Sequence, residues 1–359
     1  MKKLLFSAII LACSLNQGFA KVETYRLTQQ EQTQITEEAD NWIDDLPEGY
    51  QDRISDAVVH SLAGVPAELT NFRSIKPTPS SEFENVKSEE IFLEGGGIGA
   101  RYYYAESSKE QKLPLLIYFH GGGWTMGSTD VADNYCKAVA AAGKVKVISL
   151  EYPLSPESPA DKTVSVCGKT VEEIAGLSET LVFDTENLNI GGDGAGGNLA
   201  LTTIFSLHKE APQYKFRSLI LYYPILTLYP DTKGEAWRKY GRGYGFDSRV
   251  LEAFLQAYNP DAALHKAERD YLMSPLDVED SYLKMLPPVL MIAPTRDIII
   301  DDEKHFADRL LSLGVNMRMV EFPGGIHGFI TNNNQPGAFN KAVALTQTFL
   351  QSQAQSSGR

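Results

Sequence analysis

Residues 191–200 read GGDGAGGNLA, with Gly194 at the centre. A short apolar run, Leu188-Asn189-Ile190, comes before them, and a helical pattern follows. A buried strand that turns abruptly into a helix is the joint from which parallel α/β sheets are built. Glycines suit such a joint because they admit left-handed backbone and close approach of other chain segments. The joint presents its central side chain above the sheet. Here that side chain is absent.

The neighbouring segments extend the same pattern. Leu115–Phe119, Val145–Leu150, Phe216–Tyr222, Val289–Ala293 and Met317–Phe322 are short apolar runs of buried-strand type. Helical stretches lie between them, such as 302–313, with Phe306, Leu310 and Leu313 on one face. This alternation predicts a mostly parallel central sheet with helices on both faces. Before it, Glu90–Leu93 and Arg101–Ala105 predict a hairpin across Gly95-Gly96-Gly97-Ile98-Gly99. Those glycines join two strands rather than opening a helix, so they read as a turn and not as a phosphate loop. Residues 21–86 read as helical pieces around Trp42 and Val58, followed by a linker marked by Pro77 and Pro79. Between Leu226 and about Ser274 the pattern loosens into an inserted, aromatic-rich segment. A Gln/Ser-rich tail, 351–359, is expected to be disordered.

In such a sheet, chemistry gathers at the carboxyl ends of the strands. After 115–119 comes His120-Gly121-Gly122-Gly123-Trp124, after 289–293 comes Asp297, and after 317–322 comes His327. Bare backbone N–H groups of a glycine-rich turn can point at a developing oxyanion. A histidine moves a proton near neutral pH, and an aspartate hydrogen-bonded to it sets its tautomer. The order elbow, Asp, His is that of α/β-hydrolases.

Together these segments resemble the hormone-sensitive-lipase-like family of α/β-hydrolases. His120-Gly121-Gly122-Gly123 matches that family's HGGG motif, and 192–197 match GDSAGG at all but the serine. Gly127-Ser128, Tyr152, Pro156-Glu157, Ser274-Pro275, Leu286-Pro287-Pro288 and His327-Gly328-Phe329 also fall where the family has similar residues. The likeness runs from about 88 to 350. It implies an α/β-hydrolase fold with a helical cap made from residues 21–86 and the 226–274 insertion, on a hydrolase domain of 87–350. It implies a carboxylic-ester hydrolase for short to medium acyl esters, needing no cofactor. By the same likeness Asp297 and His327 would be catalytic, with Asp301 near enough in sequence to compete for the first role. Gly121, Gly122 and Ala195 would form the oxyanion hole. His120, Gly123, Trp124 and Asp193 are expected beside the substrate, and for His120 and Trp124 a purely structural role is equally open. Pro153 stands where the family has Arg, and Ile298-Ile299-Ile300 replaces Pro-Leu-Arg.

Gly194 is the departure that matters, because it occupies the nucleophile position and offers no oxygen. A weakly active or inactive hydrolase is one expectation. A non-catalytic protein that binds a small ester or acyl ligand in the same pocket is the other. Tyr222, Tyr223, Trp237, Tyr240, Tyr244 and Phe246 are candidates either to line that pocket or to pack the cap.

Composition narrows the partners. The chain has 359 residues and a net charge of −13, with no basic run after the N-terminus. That argues against nucleic acid, whose phosphates call for clustered Lys and Arg. Residues 1–20 carry Lys2 and Lys3, then an apolar run and a Gly18-Phe19-Ala20 end, the layout of a bacterial secretory signal peptide. Export to the periplasm or medium is expected. Ile10-Leu11-Ala12-Cys13 also reads as a lipobox, so membrane attachment is expected only if Cys13 is lipidated. An oxidising compartment permits a Cys136–Cys167 disulfide, while two buried thiols are the competing reading. The remaining histidines have no metal-ligand spacing, and no metal site is expected.

Overall fold

The computed structural model describes residues 26–78, 80–260, 273–331 and 335–355. The leader with Cys13, Pro79, 261–272 of the expected insertion and 356–359 of the expected tail lie outside them.

Three helices come first, α1 (Gln29–Asp44), α2 (Tyr50–Leu62) and α3 (Ala67–Arg73). Thr28 and Glu31 form a reciprocal capping box at the start of α1. The hairpin follows as β1 (Val86–Leu93) and β2 (Ile98–Ala105). Then come β3 (Leu113–Phe119), α4 (Thr129–Ala140), β4 (Lys146–Leu150), α5 (Ala160–Gly176) and α6 (Ser178–Leu181). Next are β5 (Phe183–Asp193), α7 (Ala195–Glu210) and β6 (Ser218–Tyr222). The inserted segment holds α8 (Glu235–Tyr240) and α9 (Ser248–Tyr258). The chain ends with α10 (Asp280–Leu283), β7 (Val289–Pro294), α11 (Ile300–Ser312), β8 (Met317–Phe322) and α12 (Pro336–Gln355).

The strands form one eight-stranded sheet in the order β1-β2-β4-β3-β5-β6-β7-β8. Among the described residues only the β1–β2 and β2–β4 pairings are antiparallel. The two-residue period of a strand assigns side chains to opposite faces. On β3, Leu115, Ile117 and Phe119 belong to one apolar cluster, and Leu116 and Tyr118 to the other. Helices cover both faces, so the apolar runs need no polar alternation.

That layering decides the cysteines. Cys167 on α5 lies in the first cluster and Cys136 on α4 in the second, on opposite sides of the sheet. A disulfide needs Cα atoms within roughly 7 Å. Both thiols are free and buried, so the expectation of a permitted bridge is replaced by that of two separate thiols.

The C-terminal helix also corrects an expectation. α12 continues through Gln355, past the anticipated end at 350. Arg217 donates from Nε and Nη2 to the Gln353 carbonyl at 2.8 and 2.6 Å, which ties down the last described turn.

Over the strand ends, α2 packs on α9. Ile54, Ala57 and Val58 share a cluster with Val250, Leu251 and Phe254. Gln51 donates to the Gly245 carbonyl at 2.7 Å, and Arg249 meets Asp52 at 2.5 Å. Segments nearly two hundred residues apart thus close over one end of the sheet. Among the described residues no helix is long and apolar enough to cross a membrane.

Candidate active site

Strand register gathers the chemistry. Phe119 pairs with Gly192, Asp193 with Tyr222, and Pro294 with Phe322. The turns that follow all open at the same sheet edge. They carry the glycine turn at 121–123, Gly194, Tyr223, Asp297 and His327.

The elbow is a matter of contact distances. A Cβ on Gly196 would lie 2.0 Å from the Phe119 carbonyl oxygen, so α7 reaches β3 only because that residue is glycine. Gly194 has φ +53° and ψ −115°. Its N–H donates to Tyr222 O at 3.0 Å, and its carbonyl accepts from Ile225 N at 3.1 Å. Such a conformation costs a non-glycine residue about 1–3 kcal/mol. Above it there is room. Among the described residues a Cβ on Gly194 would meet only His327, with Nε2 at 3.4 Å and Cε1 at 3.9 Å.

His327 Nδ1 and Asp297 Oδ2 are 2.6 Å apart, and Asp297 is fully buried. The other Asp297 oxygen accepts from Ile299 N at 3.2 Å. Asp301 is engaged elsewhere. It accepts from Ala236 N at 2.8 Å, at the start of α8. The His327 ring stacks on Phe246 at 4.1 Å and lies 4.5 Å from the ring of Tyr223. A carboxylate at Nδ1 fixes the tautomer that leaves Nε2 to exchange a proton on the cleft side.

The glycine turn corrects one assignment. The Gly121 N–H donates to Asp193 Oδ1 at 2.8 Å, so it is not available to a ligand. The N–H groups of Gly122, Gly123 and Ala195 have no hydrogen-bond partner among the described residues. The turn is braced by Met126 N, which donates to the Gly122 carbonyl at 2.9 Å. Gly123, expected only beside the substrate, joins Gly122 and Ala195 as a free donor.

Two further residues expected at the substrate are elsewhere. His120 is fully buried, stacks on Tyr152 at 4.2 Å, and approaches the Gly121 carbonyl through Nδ1 at 2.8 Å. Burial lowers its pKa and favours the neutral ring. Trp124 is also fully buried, stacked on Tyr258 at 4.2 Å. Neither lines the cleft, whereas Gly123 and Asp193 do.

Asp193 is a buried carboxylate. Tyr118 Oη and the Gly121 N–H donate to Oδ1 at 2.8 Å each, and Tyr223 Oη approaches Oδ2 at 3.4 Å. Burial pushes its pKa up to about 6, against the pull of Tyr118, Gly121, His327 and Tyr223.

The cleft has a volume of about 170 Å³. Trp42, Ile54, Phe246, Val250 and Phe254 supply its apolar wall. Its ionisable members are Tyr50, Asp193, Tyr223 and His327. A larger cavity of about 600 Å³ beside α11 and β8 contains none of these site residues. Of the aromatic candidates, Tyr223 and Phe246 line the cleft, while Trp237, Tyr240 and Tyr244 do not. Tyr222 instead bonds Tyr135 through its hydroxyl at 2.8 Å in the core. Tyr118, Tyr50, Ile54 and Phe254 carried no signal for the site in the sequence. Their side chains matter through partners far along the chain. Among the described residues no group of three or more His, Cys, Asp or Glu could hold a metal ion.

Known proteins resemble this chain in sequence and fold. The chain is similar to carboxylesterase NlhH of Mycobacterium tuberculosis, 27% identical over 271 residues that cover 74% of this chain and 82% of that one. It is 26% identical to an arylesterase of Saccharolobus solfataricus over 256 residues, 71% of this chain and 80% of that one. A thermostable esterase from Pseudomonas putida has the same fold, with a TM-score of 0.75 at 22% identity over 89% of this chain and 97% of the other. The family profile described as alpha/beta hydrolase fold matches residues 116–331, more than half the chain. The protein therefore belongs to the alpha/beta hydrolase fold family.

Proposed function

We propose that the cleft binds small carboxylic esters of short to medium acyl chain and hydrolyses them slowly, with water in place of a side-chain nucleophile. The observation that carries this is the open space above Gly194, bounded by His327 Nε2 at 3.4 Å from a notional Cβ. The HGGG and GDxAGG motifs support placement in the hormone-sensitive-lipase-like branch. The esterase names of the relatives support the substrate class.

The geometry supports the following route. The ester carbonyl oxygen sits against the N–H groups of Gly122, Gly123 and Ala195, which stabilise negative charge as it develops. His327 Nε2 removes a proton from a water above Gly194, and that oxygen bonds to the carbonyl carbon. The resulting imidazolium is steadied by Asp297. As the tetrahedral intermediate collapses, the bond to the alcohol oxygen breaks and His327 returns the proton to it. Acid and alcohol leave, with no acyl-enzyme. Asp193 is a poor substitute nucleophile, because both its oxygens are engaged by donors.

Loss of the nucleophile in a serine protease costs on the order of 10⁶ in turnover, leaving roughly 10³–10⁴ over water. One observation, Gly194 itself, favours a second reading, a binding protein that keeps the cleft without the chemistry. The Gly194→Ser variant separates the two. On short p-nitrophenyl esters the chain is expected near background and the serine variant at least roughly 10³ faster. A folded serine variant that stays silent refutes the esterase reading and leaves binding. Brisk turnover by the parent chain refutes the place given to Gly194.

Export is part of the same proposal, supported by the charge and apolar pattern of residues 1–20. Cell fractionation with mass of the mature N-terminus tests it. A cytoplasmic chain that retains Met1 contradicts it, and a lipidated Cys13 places it on a membrane.

A further inference from the structure

We propose that Tyr223 is a positioning residue whose phenolic oxygen sets His327 against the oxyanion donors, an inference that rests on reading the cleft as an esterase site. Its place in the fold carries the argument. Tyr223 immediately follows β6, and its N–H donates to the Ile292 carbonyl of β7 at 3.0 Å. Its neighbours in sequence hold the elbow, since Tyr222 accepts the Gly194 N–H and Ile225 donates to the Gly194 carbonyl. The backbone at Tyr223 is left-handed, with φ +35°, which is strained for a residue with a side chain. That strain aims a fully buried phenol between three loops.

The phenolic oxygen meets two of them directly. It accepts the Ile330 N–H at 3.1 Å, from the loop that carries His327, and approaches Asp193 Oδ2 at 3.4 Å as donor. Asp193 in turn holds the Gly121 N–H at 2.8 Å. A continuous chain thus runs from the His327 loop through Tyr223 and Asp193 to the glycine turn. The Tyr223 ring lies 4.5 Å from that of His327 and 4.9 Å from that of Phe329. The ring supplies packing, and the oxygen supplies registration between proton carrier and oxyanion donors. Tyr223 lines the cleft, but both contacts of its oxygen run to protein groups, the Ile330 N–H and Asp193 Oδ2, so the oxygen acts on geometry rather than on ester binding.

Tyr223→Phe keeps the ring and removes only the oxygen. In the full chain carrying Gly194→Ser, it is expected to lower kcat by roughly ten- to a hundredfold with KM within about twofold, since small misplacements cost rate rather than binding. Without any ester chemistry, the NMR resonance of the His327 Nδ1 proton in the parent chain is expected to shift and broaden in Tyr223→Phe. Unchanged kcat with an unchanged His327 signal overturns the proposal, even if the variant is less stable. A matched rise in KM with constant kcat also overturns it, by making Tyr223 a substrate contact. If Gly194→Ser is inactive the esterase reading fails, and the NMR comparison alone then decides the role of Tyr223.

Discussion

The carboxylate of Asp193 holds the backbone N–H of Gly121 at 2.8 Å, across 72 residues of sequence. An acid of the elbow therefore fixes the glycine turn. The close approach is mutual, because a Cβ on Gly121 would fall 2.3 Å from Asp193 Oδ2. One amide is spent on structure so that the next two can face the cleft.

This buried acid has a pH signature. Its pKa is pushed up to about 6 in the folded chain, against about 3.9 for an unfolded aspartate. Between those values the native state binds more protons than the unfolded state. Stability contributed at this group therefore falls as pH rises from about 4 to about 6, and levels off above. Asp193→Asn has no such titration. The advantage of the parent over Asp193→Asn in guanidinium unfolding is expected to be larger at pH 4.5 than at pH 7.5, by about 2 kcal/mol. Equal differences at both pH values contradict this account.

Gly194→Ser is expected to cost stability while it restores chemistry. The φ of +53° is retained by the hydrogen bonds of Tyr222 and Ile225 to the backbone. Serine there should lower the unfolding free energy by about 1–3 kcal/mol. Gly194→Ala should cost a similar amount with no gain in turnover, because the penalty belongs to the backbone. Denaturant midpoints of the three chains test this, and a serine variant as stable as the parent would show that the strain is absent.

Asp297 and Asp301 should separate cleanly. In the Gly194→Ser background, Asp297→Asn presents the wrong hydrogen-bonding partner to His327 and is expected to lower kcat by roughly 10⁴. Asp301→Asn should leave kcat within a few-fold, since Asp301 accepts from Ala236 N at α8. Steady-state kinetics of the pair decide it, and equal losses would mean that Asp301 also serves His327.

The two thiols predict indifference to reductant. Cys136 and Cys167 are buried on opposite faces of the sheet. Adding dithiothreitol should leave the thermal midpoint unchanged, whereas a disulfide between them would contribute a few kcal/mol. A reductant-dependent drop would require a different placement of α4 or α5.

Much of this molecule is readable along one dimension. Leu115–Phe119 and Val289–Ala293 announce buried strands, because a strand covered on both faces has only apolar neighbours. His327 and Asp297 stand out because a parallel sheet brings its carboxyl-end turns together at one edge. The cap is less readable. Ile54 and Phe254 are ordinary apolar residues until α2 meets α9, and nothing near Gln353 foretells that Arg217 will hold its carbonyl.

The amino-acid order by itself determined the strands, the glycine joint and the missing oxygen at Gly194, since each depends on local backbone freedom or side-chain identity. Tertiary structure decided which groups are free to act. Gly121, Gly122 and Gly123 are the same letter, and only the approach of Asp193 makes the first a structural donor and leaves the others open. His120 and His327 are likewise the same residue. One is enclosed behind Tyr152, and the other stands on Asp297 with its far nitrogen toward the space above Gly194. A hydrogen bond is set by distance in space, and distance in space is what a linear sequence does not carry.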